Sequence, residues 1–342
     1  MKKTGILNIL FRTSGGSAPK KELGMGHIFR TINLAKNLIP HNIHFLIEDH
    51  GGVYKNLRKK GFENIHKIKK NPNLLSDIKK TKNLVQGEKI DLLIIDTFNI
   101  KKKFIQELRK ITRVVVISDL RAIDFPANLV VNGYIGFRNH IITNRFKTKC
   151  LLGPKYQILD ESCKKIKNKK KKFFLLATFG GYDEHNISEI FCQSIEQYLK
   201  KIKVRIILGP ATFKTKKIRK FEKIYSKTVS IIKETRDMCD EISQSHYGIC
   251  SGGITSYEFA SKKVPFAIIC QHRHQLKTAA EWEKKGIALN FGLPNGNTTK
   301  KIQSYIERII QNTSHSRSIK KSLVDGYGSK RAADEILKIC SN

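Results

Sequence analysis

Ile6-Leu7-Asn8-Ile9-Leu10-Phe11-Arg12-Thr13-Ser14-Gly15-Gly16, continuing to Gly24-Met25-Gly26-His27-Ile28-Phe29-Arg30, is the stretch on which the fold turns. An apolar run of strand length enters a glycine-containing loop, and the loop opens a helix. The same unit recurs along the chain. In the first half, apolar strands are expected at residues 6–11, 44–47, 92–95, 114–117 and 129–131, while Ile100, Phe104, Ile105, Leu108 and Ile111 mark a helix with one apolar face. In the second half, strands are expected at 173–177, 204–208, 229–232, 247–250 and 266–269, separated by helices near 187–199, 255–261 and 275–285. Strands that are apolar throughout, alternating with amphipathic helices, indicate parallel sheets covered on both faces. The expected fold is α/β: two Rossmann-like domains with a central cleft. Residues 1–160 make the first, 161–172 a basic linker, and 173–342 the second, with a terminal helix at about 330–339. Ligands of such sheets sit at the carboxyl ends of strands, so the strand-to-helix loops are the places to look.

Composition narrows the classes. The 342 residues suffice for two domains with their own cores, and recurrent apolar runs exclude disorder. No apolar stretch approaches the ~20 residues that span a bilayer. The amino-terminal residues read straight into a strand, without the apolar region of a signal peptide. Seven cysteines, from Cys150 to Cys340, show neither paired nor metal-ligand spacing and read as reduced thiols of a cytoplasmic protein. Lys and Arg number 65 against 29 acidic residues, a formal charge of +36. That balance suggests polyanionic partners. The lysines are nevertheless scattered, and the one dense run, Lys164-Lys165-Ile166-Lys167-Asn168-Lys169-Lys170-Lys171-Lys172, falls in the linker. No zinc-finger, helix-turn-helix or aromatic RNA-binding signature accompanies it, so no specific nucleic-acid partner is expected; weak association with an anionic membrane stays open. The chain is expected to act as a monomer.

Three loops could carry chemistry. In the first, Gly24 and Gly26 allow a tight turn and close approach of a ligand, and His27 lies at a helix N-terminus, where the dipole disfavours imidazolium and suits a general base. The plainer alternative is a packing turn whose His caps the helix. Phe29 stands where a dinucleotide fingerprint has its third glycine, and no Walker A sequence follows. The second loop, Phe179-Gly180-Gly181-Tyr182-Asp183, could offer backbone N–H groups to a phosphate, though Asp183 or Asn186 as a helix cap is the simpler reading. The third, Ser251-Gly252-Gly253-Ile254-Thr255-Ser256-Tyr257-Glu258, combines a hydroxyl, two glycines and a helix N-terminus into an anion site suited to a diphosphate. Glu258 could then accept from vicinal ribose hydroxyls, or simply complement the helix dipole. Beyond the next strand, Gln271-His272-Arg273-His274-Gln275 reads as a polar loop facing the cleft rather than a metal site, because no cysteine or carboxylate stands at ligand spacing.

In this order and spacing the loops resemble the nucleotide-sugar branch of the glycosyltransferase B fold. They are most similar to the UDP-sugar hydrolases of pseudaminic acid biosynthesis and their spore-coat polysaccharide relatives. The resemblance spans nearly the whole chain: Gly24 to Arg30 with Leu34-Ala35, Leu92-Leu93-Ile94-Ile95-Asp96, Gly153-Pro154-Lys155-Tyr156 at the crossing, the second and third loops, and His274-Gln275 before an Ala-rich helix ending at Gly286. It implies a metal- and cofactor-independent hydrolase that releases UDP from an amino-sugar nucleotide, with His27 as the base and the segment from Ser251 to Glu258, including Gly252, Gly253 and Thr255, as the diphosphate and ribose site. Gly180, Gly181, Asp183, His274 and Gln275 would complete the substrate contacts. Arg12 and Arg30 would steady substrate charge, Arg30 alternatively pairing within its helix; Asp96 would position the sugar or cap the segment near Ile100. Three departures touch the sugar side: the inserted Ser17-Ala18-Pro19-Lys20-Lys21-Glu22, Thr13 in place of an acidic residue, and Thr97 where the hydrolases often have His. A glycosyltransferase with the same donor site is the main rival. A basic nucleic-acid- or membrane-binding protein with a degenerate site is the second.

Overall fold

The computed structural model describes residues 5–16, 24–164, 171–311, 319 and 323–341. The Ser17–Glu22 insertion and most of the lysine run, residues 165–170, lie outside them. The chain divides into two units: Met1–Glu161 with Tyr327–Asn342, and Ser162–Gly326.

In the first unit the described strands are β1 (Asn8–Gly15), β2 (Asn42–Asp49), β3 (Asn64–Ile68), β4 (Leu92–Asp96), β5 (Arg113–Ile117), β6 (Leu129–Asn132), β7 (His140–Thr143) and β8 (Lys149–Leu152). They form one sheet in the order β3-β2-β1-β4-β5-β6-β8-β7, parallel except for β7 against β8. The second unit carries β9 (Phe173–Thr178), β10 (Val204–Leu208), β11 (Val229–Lys233), β12 (Ser245–Cys250), β13 (Phe266–Ile268) and β14 (Ala288–Asn290), all parallel, in the order β11-β10-β9-β12-β13-β14. In both sheets the order reverses beside the first strand, between β1 and β4 and between β9 and β12. A parallel sheet opens its ligand crevice at such a reversal.

Apolar strand residues bury on both faces, as the continuous patterns require. Ile9, Phe11, Leu92, Ile94 and Val115 face one layer of helices, while Leu10, Leu93, Ile95, Val114 and Val116 face the other. The second sheet packs Leu175, Ala177, Ile206 and Ile249 against Phe191, Ile302 and Ile306.

Three expectations need correction. The stretch from Arg12 to Gly15 is strand, not loop: β1 pairs with β2 as far as Gly15 and with β4 as far as Thr13, so flanking partners on both sides extend it past its apolar core. The terminal helix, Gly328–Ser341, packs on the first unit, not the second. Its Ala332, Ala333 and Ile336 join the core of β1 and β4, and Ser329 exchanges hydrogen bonds with the backbone of Leu159. The cysteines are not all thiols, since Cys163 and Cys239, 76 positions apart, form a disulfide with Cα atoms separated by 5.4 Å.

Two outcomes follow from these corrections. Ile336→Ala should cost about 2–4 kcal/mol in urea unfolding and lower hydrogen-exchange protection in β1 and β4; loss confined to β9–β13 would reject the docking of the terminal helix. Thiol titration of the unfolded, unreduced chain should find the five free cysteines. A count of seven would reject the disulfide.

Candidate active site

His27 and Arg30 stand one helical turn apart on Gly26–Lys36 and so share a face. Both reach Asp96, the last residue of β4, whose side chain is wholly buried. His27 Nδ1 lies 2.5 Å from Asp96 Oδ1. Arg30 forks onto the same carboxylate, Nε donating to Oδ2 at 2.8 Å and Nη2 to Oδ1 at 2.5 Å. Its remaining donors reach Asp119, just past β5, with Nη1 at 2.5 Å from Oδ1 and Nη2 at 3.0 Å from Oδ2. Desolvation works against the Asp96 charge, but Arg30 and His27 outweigh it and hold the carboxyl below its usual range. Burial likewise opposes the Arg30 charge, yet Asp119 and Asp96 raise its pKa well above the ordinary value.

This arrangement selects a tautomer. An ionised carboxylate can only accept, so Nδ1 carries the proton and Nε2 keeps its lone pair. Arg30 Nη2, 3.1 Å from Nδ1, is then a second donor converging on the same oxygen. The Phe98 ring meets the imidazole edge-on, centroids 4.6 Å apart, and is 38% exposed, while His27 is only 8% exposed. The result is an oriented, largely desolvated imidazole whose outer nitrogen can take a proton, backed by a carboxylate that stabilises the resulting cation.

Other sequence-singled residues of this unit fall differently. Asp96 is no helix cap, because the next helix begins at Lys102 without a side-chain cap; nor is it exposed to a sugar. Arg12 is committed internally, Nε and Nη2 donating to Asp77 at 2.9 Å each, Nη1 to the Thr13 carbonyl at 3.0 Å, and Nη2 lying 3.5 Å from Glu48. Glu48 in turn holds His50 Nε2 at 2.7 Å and accepts from the Asn71 amide. Arg12 therefore braces the β1–β2 edge rather than meeting a substrate charge. Thr13, in register with Asp96, is buried, and its hydroxyl finds no partner among the described residues. A Cβ on Gly24 would enter open space. That residue is therefore not glycine for packing.

In the second unit, the loops after β9, β12 and β13 come together. Gly180, at φ +83°, lies against Ser251: a Cβ there would sit 3.4 Å from the hydroxyl oxygen. A Cβ on Gly252 would stand 2.9 Å from the Gln275 side chain. Beneath them Gln271, 3% exposed, donates to the Phe179 carbonyl at 2.8 Å and to Asp183 at 3.0 Å, and its amide donates to Gln275 Oε1 at 2.8 Å. Gln271 Oε1 has no hydrogen-bond partner among the described residues. Asp183 spends both oxygens on the amides of Ile187 and Ser188, at 2.8 and 2.7 Å, so it is the helix cap and not a ligand group. Helix Ile254–Ser261 starts at Gly253 without a side-chain cap, its entry pinned by Ser256, which donates to the Gly253 carbonyl and accepts from Trp282. Backbone N–H groups at such an end suit an anion.

Thr255 and Glu258 lie on that helix, each part-exposed. A Glu258 oxygen lies within 4.8 Å of both disulfide sulfurs. His274 stacks on His272, centroids 5.5 Å apart. Among the described residues, Cys163, Cys239 and Glu258 are the one group close enough to hold a metal, and the two sulfurs are bonded to each other. At the His27 cluster, Arg30 already occupies the place of a cation. Sequence reading missed Asp119, just beyond an expected strand end, and gave Gln271 no role beyond membership of a polar loop.

No family model matches the chain. Three proteins resemble it in sequence. An uncharacterized protein, MJ1062, of Methanocaldococcus jannaschii is 28% identical over 285 residues, 77% of this chain, which spans only 56% of that protein's length. The spore coat polysaccharide biosynthesis protein SpsG of Bacillus subtilis is 25% identical over 324 residues, 90% of this chain and 92% of its own. The UDP-2,4-diacetamido-2,4,6-trideoxy-beta-L-altropyranose hydrolase of Campylobacter jejuni is 24% identical over 298 residues, 83% and 99%. Each resemblance extends over most of this chain. Solved structures give its fold. MurG of Acinetobacter baumannii has a TM-score of 0.67 at 14% identity, covering 97% of this chain and 99% of that one. The calicheamicin glycosyltransferase CalG4 has 0.62 at 12%, covering 98% and 99%. The glycosyltransferase B fold expected from the loops is borne out.

The buried ion cluster makes a pH prediction. Asp96 has a folded-state pKa below its unfolded one, so its contribution is present above the ordinary carboxylate range and is lost as pH falls through the depressed value. Asp96→Asn should destabilise the first unit by about 3–5 kcal/mol at pH 7 in urea unfolding. The gap to wild type should shrink on acidification. A gap independent of pH would mean that the Asp96 charge is not what holds the cluster.

Proposed function

We propose that the chain hydrolyses a UDP-linked amino sugar at the anomeric carbon, in nonulosonic (pseudaminic-type) acid or surface-polysaccharide biosynthesis. The observation that carries this reading is the His27–Asp96 pair, with Nε2 left as the proton acceptor. In this reading Nε2 removes a proton from water as its oxygen bonds to the anomeric carbon. The bond from that carbon to the diphosphate oxygen breaks, and UDP departs as a stable anion without an acid on its side. Asp96 stabilises the imidazolium until the proton is lost to solvent. Gly252, Gly253 and the first amides of helix Ile254–Ser261 hold the diphosphate, Glu258 takes the ribose, and Gln271 Oε1 offers a buried acceptor to an N–H of the nucleotide. Support comes from the altropyranose hydrolase, named for the hydrolysis of a UDP-linked diacetamido sugar, nearly all of whose length the chain matches.

A glycosyltransferase is the second reading, favoured by the fold shared with MurG and CalG4. The same base would then act on an acceptor hydroxyl. Incubation with a UDP-amino sugar and no acceptor separates the two: free sugar at enzymatic rate supports hydrolysis, whereas bound but stable donor supports transfer. His27→Asn should abolish turnover and leave UDP affinity within a few-fold, and Glu258→Ala should weaken UDP. Retained turnover in the His27 variant would overturn the mechanism.

A further inference from the structure

Basic side chains are spread over the whole chain, but they are not all paired alike. On the terminal helix the cations share acids: Lys330 pairs with Asp334, Lys338 with Glu335, and Lys149 of β8 with the same Glu335. The helix between β10 and β11, Lys216–Ile224, is built differently. Its Ile218 and Phe221 turn into the core of the second sheet. The outward side is cationic: Lys216, Arg219, Lys220 and Lys223 are exposed and join no ion pair among the described residues. The one acid of this helix, Glu222, is already held by Lys214 at 2.5 Å, and Lys217 reaches Glu189 at 3.4 Å. Exposed Lys227 and Arg236 continue the surface, with Glu234 as its exposed acid.

Apolar side chains bracket the same helix. Phe213, two residues before the Thr215 cap, is 75% exposed, more than any other large apolar residue described, and Ile224 at the far end is 58% exposed. Lys233, the last residue of β11, stands over the Phe213 ring, 5.9 Å from its centroid. The helix leads to β11, the edge strand of its sheet, two places from β9 and the reversal beside it. This surface is therefore separate from the loops assigned to the nucleotide.

We propose that helix Lys216–Ile224, with Phe213 and Ile224 at its two ends, docks on an anionic lipid surface. A single exposed apolar residue is ordinary. Two of them flanking a helix of unpaired cations are the parts of an interfacial anchor. The apolar groups enter the boundary between headgroups and acyl chains, while the lysine stems lie along it and keep their ammonium groups among the lipid phosphates. A polynucleotide would match the charge equally well. It would have no use for Ile224, which cannot stack on a base, and would find one aromatic ring where single-strand binders present several. With one short helix and no deep apolar insertion, the attachment is reversible and salt-sensitive.

The test is co-sedimentation of the full chain with vesicles of phosphatidylcholine alone, or of an equal mixture with phosphatidylglycerol. Wild type should sediment with the mixture, far less with phosphatidylcholine, and should be released by added salt. Phe213→Ser with Ile224→Ser leaves the net charge untouched and should weaken binding by about fivefold or more. Replacing Lys216, Lys220 and Lys223 together by Gln should weaken it by about tenfold or more. Replacing Lys55, Lys59 and Lys60 of the first unit by Gln removes the same charge elsewhere and should change it by less than about threefold. No binding of wild type to the mixed vesicles, an undiminished Phe213/Ile224 variant, or equal loss from the two lysine triples would overturn the assignment. Preference for single-stranded RNA over the vesicles, with the same dependence on Phe213, would overturn it in favour of a polynucleotide.

Discussion

A single buried charge organises the first unit. Strand order alone puts Asp96 at the carboxyl end of β4, beside β1, where no water solvates it. An isolated carboxylate there would cost several kcal/mol. Donors must therefore come to it, and the helix that follows β1 brings two, the Arg30 guanidinium and the His27 Nδ1–H, one turn apart. That requirement gives the spacing in Gly26-His27-Ile28-Phe29-Arg30 its physical sense: three residues put both donors on one face. Remove the carboxylate and neither the tautomer of His27 nor the fork of Arg30 has a reason to persist.

The two sheets use their reversal points differently. In the first, the reversal is occupied by paired side-chain charges, Asp96 and Arg30, with His27 beside them. In the second, Asp183 is consumed by two amides and Gln271, so the groups that remain include glycine backbone, the Ser251 hydroxyl, an amide oxygen and a helix end, with Glu258 farther along that helix. Such a surface suits an anion. The first unit instead holds a fixed imidazole with a free ring nitrogen, which suits proton transfer.

Much of this was legible because parallel strands buried on both faces have no choice but to be apolar. The central strands could be read from Leu92-Leu93-Ile94-Ile95 or Val204-Arg205-Ile206-Ile207-Leu208 directly. β3, His-Lys bearing and at the sheet edge, could not, nor could β14 with its three residues. Amphipathic periodicity shows that the terminal helix has a buried face, but it says nothing of which sheet lies under that face. Arg12 misled because it borders the apolar run, as a loop residue would. Its charge is instead satisfied by Asp77, 65 positions away, and no local pattern announces such a partner. The disulfide escaped for the same reason. Glycine, histidine and arginine in the first loop were legible as chemistry, while the roles of Asp96 and Asp119 needed the strand order.

The net charge of +36 acts on a different length scale from all of this. Scattered lysines raise the local concentration of any anionic partner and its encounter rate, but beyond about 8 Å their field is screened at physiological ionic strength. A field so spread attracts an anion without orienting it. Orientation needs groups held at fixed positions, and each unit holds its own: the start of helix Ile254–Ser261 in one, the His27–Asp96–Arg30 cluster in the other. An indiscriminately basic surface is therefore compatible with a selective site, because groups at hydrogen-bond range, not the net charge, set the orientation of whatever binds.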